Sequence, residues 1–171
     1  MTVTINSHGG SAAFGPEGIG SQYRYWLERR LDDLFDKDFR VGFIMLNPST
    51  ADHRLNDPTI RRCIGYASRW EADALEIGNI FALRSTDPRK LYRHKDPVGP
   101  ANDRVLVEMA KRCSFIVCGW GNHGTLNSRG ALVKSMLLDA GADLRVLRLT
   151  KNGDPAHPLY LPANLEPVPW G

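Results

Sequence analysis

The stretch Arg40–Asp52, RVGFIMLNPSTAD, constrains this chain more than any other. Every residue from Val41 to Leu46 is apolar or glycine, and the run stops at Asn47-Pro48-Ser49-Thr50. A short apolar run bounded by turn residues reads as a strand buried on both faces, as in a parallel sheet. The small polar side chains just past its carboxyl end fall where open α/β sheets bind ligands. Asn-Pro is equally a common turn initiator, so the same residues also read as a plain turn.

Further segments repeat the pattern. Ala74–Phe81, Ser114–Gly119 and Asp143–Leu149 read as strands. Between them lie helices over about 58–70, 100–113 and 128–140. The first is well signalled, with Asp57 as N-cap, Pro58 at the first position and a buried stripe of Ile60, Cys63, Ile64 and Ala67. Strands alternating with helices predict an α/β fold, with a parallel sheet of four strands, right-handed crossovers and helices on both faces. Residues 1–20, rich in Gly, Ser and Ala, are expected to be a loose segment ahead of a single α/β domain over 21–171. Tyr23–Leu31 fits either an edge strand or a short helix. The proline-dense tail from Lys151 excludes a long helix.

A chain of 171 residues suffices for one domain with a real core. The net charge of +3 permits a nucleic-acid or phosphate partner without demanding one. Cys63, Cys113 and Cys118 form no CxxC pair, which argues against a disulfide framework or zinc ribbon and for reduced thiols in a cytoplasmic protein. No segment is long and apolar enough to span a membrane, and the N-terminus lacks the features of a signal peptide.

Polar clusters follow each predicted strand: Asn47 to Asp52, Asn79 with Arg84–Asp87, Trp120–His123, and Asp154–Tyr160. In a parallel sheet these ends converge on one edge, and the convergence is the informative signal. Asn79 interrupts an apolar strand; it either braces a neighbouring loop or offers a donor and an acceptor to a planar ligand. His157, held extended by Pro158, is either a surface-turn histidine or a donor to developing negative charge. His123, between glycines and loop residues, is as much a loop residue as a ligand. Asp52, His123 and His157 have no metal-ligand spacing, so no metal and no cofactor is expected. There is no Walker loop, GxGxxG or nucleophile elbow. The basic loop with Arg84, Arg89, Lys90, Arg93, His94 and Lys95 reads as a solvated loop or as phosphate contacts. Arg61, Arg62 and Arg69 read as a solvated helix face.

Leu46–Asp52, the following NDPTIRRC of Asn56–Cys63, Asn79–Pro88, Trp120-Gly121 and His157–Leu161 resemble a bacterial and phage family of uncharacterised proteins. The likeness runs from about Tyr23 to the tail. More distantly, the same order of motifs resembles the uracil-DNA glycosylase superfamily. That resemblance implies a three-layer α/β/α sandwich around a mainly parallel four-stranded sheet, which agrees with the strand count. It implies that Asn47 positions water, Asn79 reads a base, and His157 stabilises the departing base. Leu159 and Tyr160, beside Pro158, would sit near DNA. The chain lacks the four cysteines of the iron–sulfur branches, and its last motif is His-Pro-Leu-Tyr, without the Ser-Pro that often follows in the glycosylases.

Two functions follow as expectations. One is hydrolysis of an N-glycosidic bond to a nucleobase, in DNA or a nucleoside derivative. Its catalytic residues would be Asn47 and His157, with Asp52 the reserve general base. Pro48, Ser49, Thr50, Asn79, Arg84, Trp120, His123, Pro158, Leu159 and Tyr160 would bind substrate. The other is a non-catalytic module binding nucleotides or nucleic acid in the same pocket.

Overall fold

A computed structural model of the chain describes residues 2–6, 10–31 and 38–171. Among these, the strands are β1 (Thr2–Asn6), β2 (Gly10–Phe14), β3 (Arg24–Arg30), β4 (Arg40–Met45), β5 (Ala74–Asn79), β6 (Phe115–Gly119), β7 (Leu144–Val146) and β8 (Val168–Pro169). The helices are α1 (Pro58–Arg69), α2 (Asn102–Arg112) and α3 (Arg129–Asp139). All eight strands join one sheet in the order β1-β2-β3-β5-β4-β6-β7-β8.

The four strands read from sequence form its centre, β5-β4-β6-β7, and pair in parallel. The sheet as a whole is mixed, not the mainly parallel four-stranded one expected. β3 runs antiparallel to β5, β2 to β3, β1 to β2, and β8 to β7. Tyr23–Leu31 therefore holds a strand, and an interior one. The first twenty residues also differ from the loose segment expected. Ala12 and Phe14 are fully buried, and Ala13 nearly so. GSAAF has small side chains up to its closing Phe14 and no β-branched residue, so its strand signal is weak; burial against β3 determines its state. Positions 1 and 7–9 of that segment lie outside the described residues.

Alternation along the central strands separates two cores. Val41, Phe43 and Met45 on β4, with Leu75 and Ile77 on β5, pack with Ile60, Cys63, Tyr66 and Ala67 of α1. Phe43, Tyr66 and Trp70 stack there, with centroids 5.5–6.3 Å apart. Ile44, Ile116 and Cys118 face Leu106 and Met109 of α2 and Val133 and Leu137 of α3. Thus α1 covers one face of the sheet, and α2 and α3 the other. Burying side chains of this size contributes about 1.5–3 kcal/mol each.

The order β5-β4-β6 places a reversal at β4. The chain leaves β4 through α1 to β5 on one side, then returns through α2 to β6 on the other. Such a switch point opens a crevice outside the carboxyl ends of the strands, because the flanking loops diverge. The approach of α2 depends on a missing side chain. A Cβ on Gly78 would lie 2.6 Å from Leu106 Cδ2 and 3.2 Å from Met109 Sδ. Gly78→Val should therefore cost about 1–3 kcal/mol through overpacking. A thermal melt unchanged by this substitution would contradict the packing of α2 on β5.

Candidate functional site

The loops after β4, β5, β6 and β7 enclose a cleft of about 690 Å³ at the switch point. The first loop contributes Leu46, Asn47, Ser49, Thr50 and Asp57, and α1 adds Pro58 and Thr59. Ser85, Thr86 and Pro88 come from the second, and Trp120, Gly121, Asn122 and His123 from the third. Thr150, Ala156, His157, Leu159, Tyr160 and Leu161 complete it.

Asn47 is positioned by its own amide. Its Nδ2 donates to the carbonyls of Ser85 at 2.8 Å, Pro48 at 3.1 Å and Leu83 at 3.3 Å. These acceptors fix which end of the carboxamide is nitrogen. They also tie the β4 loop to the β5 loop, as does the Ser85 amide on the Pro48 carbonyl at 2.8 Å. Asn47 Oδ1 has no partner among the described residues, so it can accept from a water or a hydroxyl in the cleft.

The rest of the LNPSTAD loop hangs on two arginines of β3. Arg24, 2% exposed, donates from Nη1 to the Ala51 carbonyl at 2.5 Å. Arg29 donates to the carbonyls of Asp52 at 2.5 Å and Leu55 at 3.3 Å, and to Asn56 Oδ1 at 2.8 Å. Burial lowers the Arg24 pKa to about 10, with Asp57 the main charge opposing the shift, so the side chain stays cationic near neutral pH. Neither arginine stands out in the sequence, where Tyr23–Leu31 fits either an edge strand or a short helix.

Asp52 is turned away from chemistry. Its Oδ1 accepts from the backbone N–H groups of Arg54 at 2.7 Å and Leu55 at 2.8 Å, forming an Asx turn. Burial raises its pKa, but these N–H groups outweigh it and hold the carboxyl below its usual range. It is not part of the cleft lining. The carboxylate that does line the cleft is Asp57, which also caps α1 through the Ile60 N–H at 2.9 Å. Its capping signature was legible, its place in the cleft was not.

His157 caps the short 3-10 helix Pro158–Tyr160, its Nδ1 accepting from the Leu159 N–H at 3.3 Å. Burial lowers its pKa to about 4, with Asp57 pulling weakly the other way. The ring is therefore neutral near pH 7. With Nδ1 accepting, the proton sits on Nε2, which is a donor. Pro158 is buried beneath, where a Cβ on Gly119 would come 2.9 Å from its Cδ. Tyr160 leans on His157 with centroids 5.7 Å apart and is 83% exposed at the rim. His123 is exposed and bonds Tyr92 Oη through Nδ1 at 2.9 Å.

The remaining candidates fall elsewhere. Pro48 is buried behind the lining. Asn79 is 2% exposed and lies outside the cleft lining; its carbonyl accepts from the buried Asn102 amide at 2.9 Å. Its Nδ2 has no protein partner. Arg84 is committed to the Ile19 carbonyl at 2.6 Å and lies over the Phe14 ring at 5.4 Å. Arg89 is ion-paired with Asp87 at 3.0 Å. The basic loop thus spends two of its charges internally. Asn47, Ser49, Thr50, Trp120, His123, His157, Leu159 and Tyr160 are brought together. Asp52, Asn79, Arg84, Pro48 and Pro158 are not in that group.

The half-buried neutral imidazole has a consequence for stability. The unfolded chain takes up this proton near pH 6.5, and the folded chain only near pH 4. The contribution is complete above pH 6.5 and is lost as pH falls through that window. The full shift corresponds to about 3 kcal/mol, and the partial exposure of the ring leaves less than that. His157→Gln should melt with a shallower pH dependence between pH 6.5 and 4 than the parent chain; equal slopes would contradict the burial of the ring.

No helix among the described residues is long and apolar enough to cross a membrane. No curated protein and no solved structure matches the chain, so the glycosylase likeness rests on its motifs alone. A family model described as "Protein of unknown function (DUF1643)" matches residues 24–159, from the buried Arg24 through the cleft's last loop. With four-fifths of its length matched, the chain belongs to that family.

Proposed function

We propose that the cleft binds a nucleoside unit and that the chain hydrolyses its N-glycosidic bond. The observation that carries this reading is the pairing, in one cleft, of a neutral imidazole donor with a carboxylate: His157 and Asp57. Breaking the bond from sugar C1′ to the base nitrogen sends its electron pair to the base and leaves cationic character at C1′. Oxocarbenium-like centres of this kind are stabilised by a nearby carboxylate. Asp57 supplies it. The departing base gathers negative charge, which the His157 Nε2–H can meet with a hydrogen bond. Water then adds to C1′ and loses a proton. Asn47 Oδ1 can orient that water, and Asp57 can accept its proton.

The arrangement of the central strands supports the same reading. Four parallel strands with α1 on one face and α2 and α3 on the other agree with the three-layer glycosylase architecture that the motifs imply. Reading of the base would fall to the hydroxyls of Ser49, Thr50 and Thr86 rather than to Asn79, which lies outside the lining.

That last point favours a second reading, a non-catalytic nucleotide-binding module. The base-reading asparagine is outside the cleft and the Asn47 nitrogen is consumed by backbone, yet the cleft persists. Single-turnover base release separates the two. Nucleosides, single strands and duplexes carrying modified bases would be the substrates. The parent chain should release base, and His157→Ala should slow release by about 10²–10³-fold, the usual cost of one donor to developing charge. Asp57→Asn should slow it at least as much, with melts checking that α1 still folds. Nucleoside binding without any release would establish the binding module. Full activity in His157→Ala would remove the role given to that ring.

A further inference from the structure

The cleft carries no permanent cation in its lining, and Asp57 makes it unfavourable for an anion. Yet a second groove of about 460 Å³ opens beside it along α1, and Pro58 and Leu159 line both hollows. Its walls include Arg61, Arg62, Gly65 and Tyr66. The side chains of Arg61 and Arg62 form no hydrogen bond or ion pair with other described residues. The third arginine there, Arg69, is committed to Glu166 at 2.5 Å and the Ala163 carbonyl at 2.8 Å. The Tyr66 hydroxyl is likewise spent on the Pro162 carbonyl at 2.5 Å. Two unpaired arginines lining one groove give it a positive charge that an anion would neutralise. The planar fork of each matches the oxygens of a phosphate.

We propose that the groove along α1 is the phosphate subsite of the cleft. It takes the phosphate attached to the sugar of the bound nucleoside unit, with Arg61 and Arg62 as its ligands. This rests on the cleft's reading as a nucleoside site. The ligand is divided by charge: a neutral base and sugar beside Asp57 and His157, and the anion past Pro58 and Leu159. The cationic contacts expected of the Arg84–Lys95 loop fall instead to α1.

The test is equilibrium binding of deoxynucleosides, their 3′- and 5′-monophosphates, and single-stranded trinucleotides. Thymidine, deoxyuridine, deoxyadenosine, deoxyguanosine and deoxycytidine would form the panel. A monophosphate should bind at least about tenfold tighter than its nucleoside, the gain of one charge-assisted contact. The Arg61→Glu/Arg62→Glu variant should lose that advantage and keep its nucleoside affinity. Arg89→Glu/Lys90→Glu, with the same change in net charge, should keep both. If the phosphate is a diester, trinucleotides bind tighter than monophosphates, and the double variant's log–log salt slope is shallower by roughly 1.4, two single-strand contacts at about 0.7 each. Equal affinities would mark a terminal phosphate. Monophosphates binding no tighter than nucleosides, or the double variant keeping the advantage, would overturn the subsite and leave the nucleoside cleft standing. Absence of binding by every probe would overturn both.

Discussion

The site depends on two arginines taken out of water. A guanidinium as buried as Arg24 costs several kcal/mol to desolvate unless its hydrogens find acceptors. The loop after β4 has the reverse problem, since its turns leave carbonyls without donors. Arg24 and Arg29 meet much of both costs by binding the carbonyls of Ala51, Asp52 and Leu55, while Arg24 Nε stays buried without a partner among the described residues. The loop then has little freedom, and Asn47, Ser49, Thr50 and Asp57 are presented in fixed places. Both arginines come from β3, which lies between β5 and the β1–β2 wing. The wing is thus the outer support of the scaffold that holds the cleft's most important loop.

This explains which parts were legible. The central strands and three helices rest on hydrophobic pattern, which sequence carries directly: Val41–Leu46 had to be buried on both faces, and Ile60, Cys63 and Ala67 had to face a sheet. The wing rests on tertiary burial of Ala12, Ala13 and Phe14, a short run after Gly10 and Ser11 that gives no periodic signal. For the site, the convergence of polar loops followed from the parallel arrangement, so Asn47 and His157 fell together. Asn79 did not join them, because a residue ending a strand points to one of two faces and the sequence does not say where the cleft begins. Asp52 and Asp57 stand five positions apart in one loop. Only the turn geometry shows which carboxylate is consumed by backbone and which meets the ligand space.

Size is a poor guide to the site. A larger hollow, about 1060 Å³, lies between β3 and α2 and is rich in charge. There Glu76, fully buried, is held by Arg112 at 2.7 Å and by Trp26 Nε1 at 2.7 Å, while Arg40 pairs with Glu28 at 2.8 Å. The charges around Glu76 satisfy one another and fasten β3 to β5 and α2, while Arg104 at the exposed edge of the hollow has no partner among the described residues. The switch-point cleft differs in what is left over: an acceptor and a donor in one lining, the Asn47 oxygen and the His157 Nε2–H, with Arg61 and Arg62 nearby. A free acceptor and a free donor in one cleft, rather than volume, distinguish a place for a ligand.

The most direct measurement of this account is a crystal structure of the chain with a hydrolysis-resistant nucleoside 5′-monophosphate. Base and sugar should sit in the switch-point cleft, with a base acceptor about 3 Å from His157 Nε2, the sugar's C1′ facing Asp57 and Asn47 Oδ1, and the phosphate against α1. A ligand seated between β3 and α2, or a base in the cleft with the His157 ring turned away from it, would contradict the account.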